Sequence, residues 1–171
     1  MAAIAIVLLL AACGGDEHGS AARTTAAFAT TAGTPIVKDE HFLNADDPGV
    51  LTFENGDCFR DPATNEALGE AELNSVECVG AQNEVYTFET LPDGPWDAAA
   101  VARAGWRQCG RAFGELWGPR ASSPFSYYPA LPTRRSWNED RDRSAMCVVY
   151  SPQGRLRADP IEARGQTSGG G

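Results

Sequence analysis

The chain has 171 residues, 43% of them hydrophobic, and a formal net charge of −9. Such acidity argues against a nucleic-acid partner, whose phosphates demand a basic surface. The length suits one domain with flexible ends rather than the larger, two-lobed body usual for a transporter's ligand carrier. Charge is uneven: residues 51–95 hold one basic and ten acidic side chains, whereas residues 96–171 hold eleven and seven. The simplest expectation is that the two halves lie against each other in one fold and partly cancel.

From the N-terminus, Ala2 to Ala12 is an apolar run of about eleven residues, where a membrane span needs about 20. Residues 1–12 therefore read as a cleaved secretion signal. No Lys or Arg precedes the run, an irregularity that a start further upstream would explain. The tetrad Leu10-Ala11-Ala12-Cys13 resembles the lipobox of bacterial lipoproteins. That resemblance implies a diacylglycerol on the Cys13 thiol, and hence a membrane partner through a lipid anchor on the extracytoplasmic face. Anchoring through two or more acyl chains is stable, at about 0.8 kcal/mol per buried methylene. The alternative is a plain secretion signal that happens to contain a cysteine.

Residues 13–48 are rich in Ala, Thr, Gly and Asp and poor in large apolar side chains, so they are expected to form a flexible tether. The folded domain is expected over 49–160, with a disordered tail at 161–171 ending in Ser168-Gly169-Gly170-Gly171. Within the domain lie Cys58, Cys78, Cys109 and Cys147. An even number behind a secretion signal reads as a disulfide framework, with three pairings open. No Cys-x-x-Cys or His-x-His accompanies them, so neither a zinc site nor any cofactor is expected.

Asn55-Gly56 signals a turn leading into a strand at Asp57-Cys58-Phe59. Ser75–Val79 and Glu84–Glu89 alternate apolar and polar residues, predicting two half-buried strands joined by a hairpin-like turn at Gly80–Asn83. After the break Leu91-Pro92-Asp93-Gly94-Pro95 comes a helix capped by Asp93 or Asp97. Its apolar stripe is Val101, Ala102, Gly105, Trp106, Cys109, Phe113, Leu116 and Trp117. Arg103, Arg107 and Arg111 form an outer row, and Arg111 is expected to pair with Glu115. Gly105, Gly110 and Gly114 each weaken the helix, which Gly118-Pro119 ends. Pro124–Pro129 predicts a proline-bounded edge strand, and the apolar Ser144–Tyr150 a central one. The order predicts an α+β fold: a small, mostly antiparallel sheet with one main helix.

Taken together the spacing resembles the septum-formation domain of actinobacterial envelope proteins. The resemblance runs from Gly56-Asp57-Cys58-Phe59 and Val76-Glu77-Cys78 through Leu91–Pro95 and Cys109-x-x-x-Phe113. It closes with Tyr127-Tyr128-Pro129, Pro132-Thr133, Trp137, Asp142-Arg143 and Cys147, covering residues 53–158. Two segments depart from the family: Gly80–Val85 lacks its Pro and His, and the stretch after Trp137 lacks a Gly and has one extra residue. The resemblance implies disulfides Cys58–Cys78 and Cys109–Cys147, and an envelope or division-related role. Closing loops of 20 and 38 residues would stabilise by roughly 3 and roughly 4 kcal/mol, so reduction is expected to unfold the domain.

Catalysis finds little purchase in the residues. His18 and His41 are the only histidines, and no Gly-x-Ser-x-Gly elbow accompanies either. Paired carboxylates drawn from Asp57, Glu77, Glu84 and Asp140 are the strongest enzymatic alternative, in the manner of a wall-cleaving glycosidase. Asp142-Arg143 reads as a loop clamp. Trp106 and Trp117 are expected in the core. Tyr127, Tyr128 and Trp137, set among prolines and charges, are the expected contacts for an envelope protein partner or a cell-wall glycan.

Overall fold

A computed structural model describes residues 34–161. Four strands, β1 (Cys58–Phe59), β2 (Asn83–Thr90), β3 (Ser126–Ala130) and β4 (Ser144–Tyr150), form one antiparallel sheet in the order β1-β2-β4-β3. The most apolar strand, β4, is central as expected: Ala145 to Tyr150 are all buried, because neighbours pair along both its edges and both its faces are covered. The proline-bounded β3 lies at the sheet edge, where the N–H that Pro129 lacks is least missed. A one-turn helix α1 (Pro62–Ala67) follows β1, and the long helix α2 (Ala98–Trp117) joins β2 to β3.

The pleat sorts the core into two layers. Met146, Val148 and Tyr150 point to one face with Val85, Tyr128 and Phe59, where Leu43, Val50, Phe53 and Leu73 cover them. Ala145, Cys147 and Val149 point to the other, against Val101, Ala104, Cys109 and Phe113 of α2. The Asp97 side chain accepts the Ala100 N–H at 3.1 Å to cap the helix, and Gly118, at φ 74°, ends it. Both disulfides are present with the pairing Cys58–Cys78 and Cys109–Cys147. The second joins α2 to the central strand.

Three expectations are corrected. Residues 75–79 form no strand, only a single bridge between Val76 and Cys58. The backbone that would have turned a hairpin at 80–83 is engaged elsewhere: Gly80 donates to the Leu156 carbonyl (2.9 Å) and Leu156 donates to Ala81 (2.7 Å). Buried Cys58, Ala81 and Leu156 draw those segments together. The flexible tether does not extend to residue 48, because Lys38, Leu43 and Ala45 are buried against the sheet. Arg111 pairs with Glu89 across to β2 (3.3 Å) rather than with Glu115 one turn along. The two halves do lie against each other in one sheet, and Arg111–Glu89 and Arg143–Asp93 pair basic side chains of the second half with acidic ones of the first, as expected. The expected signal 1–12, the lipidated Cys13, His18 and residues 162–171 of the tail lie outside the described residues.

Candidate functional site

Two places in the fold hold chemistry: a surface groove across the start of α2, and an enclosed polar centre on the far side of the sheet.

The groove is made by the Leu91–Pro95 break, which the prolines hold away from the helix. On one side of Trp96 lies a cleft of about 590 Å³ lined by Asp93, Trp96, Asp97, Arg103, Arg107 and Trp137. On the other lies a second of about 380 Å³, with Glu40, His41, Asn44, Pro132 and Thr133 around an alanine-rich floor from α2, and Glu40 accepts the Trp106 indole N–H at 2.9 Å. Both volumes fall in the range of small-ligand sites. Trp96 and Val101 line both clefts, so the half-buried indole is the divider between them. The cleft carboxylates are already engaged, Asp97 in the helix cap and Asp93 with Arg143 at 2.7 Å. That arginine holds the Asp93 carboxyl below the usual aspartate range. Arg103 and Arg107 have no carboxylate partner among the described residues. The cleft therefore offers two guanidinium groups without an ion-pair partner beside an indole, donors that an anionic group of a ligand can use.

The enclosed centre surrounds Lys38, the only lysine of the chain and only 2% exposed. Its Nζ donates to the Asp61 carboxylate and, at 2.7 Å, to Oδ1 of Asn83. Tyr128 donates its hydroxyl proton to the same Oδ1 (3.1 Å), while Asn83 Nδ2 donates to Asp61 (2.8 Å) and to the Phe59 carbonyl (3.3 Å). The rings of Phe42 and Tyr150 stand 4.4 and 5.2 Å from Nζ. Burial pushes the Lys38 amine below its ordinary range, against the pull of Asp61.

Of the three expected contact residues, Tyr128 is corrected. Tyr128 is fully buried in the enclosed centre, and Trp137, 2% exposed, donates to the Gly94 carbonyl (3.0 Å) beneath the Arg143 guanidinium, 3.8 Å above its ring. Tyr128 presents no surface to a partner, whereas Trp137 keeps an edge on the larger cleft. Tyr127 is half-buried between Trp106 and Phe113, with Arg120 over its ring. Trp106 and Trp117 are half-buried against the core. Asp142 and Arg143 do clamp their loop: Asp142 accepts from Ser136 and the Ser144 N–H, and Arg143 reaches Asp93 and the Trp137 carbonyl.

The four candidate catalytic carboxylates are not assembled. Asp57 closes a turn onto the Glu54 N–H and takes the Ser75 hydroxyl, Glu77 is exposed, Glu84 is enclosed in β2, and Asp140 sits at the surface near Arg135. The enclosed position of Glu84 corrects the half-buried strand expected there, since four consecutive residues of β2, Asn83 to Tyr86, are buried. His41 is exposed at the rim of the smaller cleft.

Lys38, Asp61 and Asn83 escaped sequence reasoning. One signal was available for the first: a single lysine among thirteen arginines, directly after Ile36-Val37. No helix among the described residues is long and apolar enough to cross a membrane, and no cluster of three or more His, Cys, Asp or Glu is placed to hold a metal. No protein-family model, curated protein or solved structure matches this chain.

Proposed function

We propose that this protein is a lipid-anchored, extracytoplasmic binding or scaffold domain of the cell envelope. The observation that carries the reading is cysteine accounting. All four cysteines of the domain are consumed in two disulfides. Cys13 is then the one thiol left in the sequence, and it ends the Leu-Ala-Ala-Cys tetrad. Disulfides persist in oxidising compartments, which supports export. The groove flanking Trp96 supplies the binding surface, and its unpaired Arg103 and Arg107 favour an anionic partner, a carboxylate-bearing wall glycan ahead of an acidic envelope protein. The ordered motifs shared with the septum-formation domain support a division-related role.

The test is fractionation of cells expressing the full chain and its Cys13→Ala variant. The parent is expected in the membrane, partitioning into detergent, with no titratable thiol after denaturation without reductant. The variant is expected in the soluble fraction. A cytoplasmic protein with five titratable thiols in its native state would overturn the reading.

A further inference from the structure

We propose that Lys38 and Asn83 form an intramolecular isopeptide bond, with Asp61 carrying the proton and Tyr128 polarising the carbonyl. An amine, a carboxamide and a carboxylate meet here in a largely enclosed pocket. Lys38, Asn83 and Tyr128 are at most 2% exposed, and the Asp61 side chain 19%. Each group is oriented for a different part of one acyl transfer. The amide orientation is set by its partners, since Nδ2 faces two acceptors, Phe59 O and Asp61 Oδ1, and Oδ1 faces two donors. The nucleophile hydrogen-bonds the carbonyl oxygen at 2.7 Å, which places Asn83 Cγ one carbonyl bond further on.

The step balances without any co-reactant. Lys38 reacts as the neutral amine: its Nζ attacks Asn83 Cγ, and the proton it sheds on forming the bond passes to the Asp61 carboxylate. Negative charge builds on Oδ1, where the Tyr128 hydroxyl already donates. The Cγ–Nδ2 bond breaks as Asp61, within 2.8 Å of Nδ2, passes the proton on, and ammonia leaves. An amide bond forms, one breaks, and nothing is oxidised or reduced. The lowered basicity of the buried amine favours the neutral nucleophile the attack needs. Rigid placement supplies the rest, as the three groups sit on separate segments held by the packed sheet.

The consequence is mechanical. Lys38 precedes every strand and helix of the described domain, and Asn83 opens β2 opposite Tyr150 of the central strand. A bond between them passes tension arriving along residues 1–37 straight into the sheet. It also closes a covalent loop that neither disulfide contains.

The experiment is tryptic mapping by tandem mass spectrometry of the full chain, reduced, alkylated and denatured. The expected result is one branched peptide joining residues 24–60 to 61–103, uncut at Lys38 and lighter by one ammonia. Asp61→Ala is expected to abolish it, and Tyr128→Phe to lower the cross-linked fraction of freshly synthesised protein. Linear peptides cut after Lys38 would overturn the proposal, whatever the variants do. So would an ammonia loss confined to the linear Asn83 peptide, or a branched peptide lighter by water, which would make Asp61 the acyl partner.

Discussion

At the scale of single residues, burial and partners decide roles that residue type leaves open. Three glycines of α2 look alike in the sequence, yet their surroundings differ. A Cβ at Gly105 would meet Leu131 Cδ2 at 2.5 Å, and one at Gly110 would meet Tyr127 Oη at 2.4 Å, whereas nothing lies near Gly114. Gly114→Ala is therefore expected to stabilise by up to about 1 kcal/mol through helix propensity. Gly105→Ala and Gly110→Ala are expected to destabilise by about 1–3 kcal/mol through overpacking. Urea melts of the three variants check the contrast, and equal shifts of one sign would refute it. Arg143 gives a prediction with a pH signature. It stacks on Trp137 and holds Asp93, whose carboxyl lies below its ordinary value of 3.8. A depressed carboxyl contributes stability that is fully present above the unfolded value and lost as pH falls through the folded one. The advantage of the parent over Arg143→Gln should be flat well above pH 3.8 and shrink below it, down to the part due to stacking. Denaturant melts in a pH series measure it. A difference that does not change on acidification would show that Asp93 contributes nothing.

Periodicity served whole elements well where one face is buried and poorly where pairing is shared. The apolar stripe of α2, the centrality of β4 and the edge placement of β3 all follow from pattern, since burial on one or both sides leaves its mark in the spacing of apolar residues. The alternation at 75–79 carries the same mark and yields no strand, because its neighbours bond to the 154–156 segment instead. Pattern is blind to that competition. The two disulfides sit in unlike places: Cys109 and Cys147 are wholly buried between α2 and β4, while Cys78 is half-exposed on the irregular 75–79 stretch. Access governs thiol–disulfide exchange. Mild reductant is thus expected to open Cys58–Cys78 first and leave the fold cooperative. Opening Cys109–Cys147, which closes a loop of 38 residues, is expected to cost roughly 4 kcal/mol and unfold the domain. Timed alkylation with mass mapping, followed by melts of each species, reads both, and simultaneous loss of the two bridges would refute the order.

For the molecule as a whole, the boundary of the folded unit is the largest departure from expectation. Residues 34–45 look like linker by composition, yet Leu43 is fully buried on the face opposite α2 and Phe42 packs edge-on to Tyr128 at 5.2 Å. Without them, Val50, Phe53 and Tyr128 lose their cover, and the Asp61–Asn83–Tyr128 group loses the lysine at its centre. A chain starting at residue 49 is expected to be less stable than one starting at 34 by at least the 2–5 kcal/mol of a deleted core leucine, about enough to unfold a small domain. Calorimetry of the two fragments decides it, and coincident melting would show that the segment is an ornament. On the other face α2 carries the exposed Arg103, Arg107 and Arg111, the first two lining the larger cleft.

Local pattern alone was enough for the class of fold, the main helix, the central strand and the expectation of two bridges, because those features depend on apolar spacing and on residues whose chemistry is the same wherever they sit. The proposed address rests on the tetrad at Cys13, a reading of local pattern of the same kind. Tertiary structure alone decided that Tyr128 and Trp137 are interior, that Lys38 belongs to the domain, and that Lys38, Asp61 and Asn83 meet. The reason is separation along the chain: Lys38 and Asn83 are 45 residues apart. Short-range periodicity holds no information about which distant polar groups a folded sheet will shut away together.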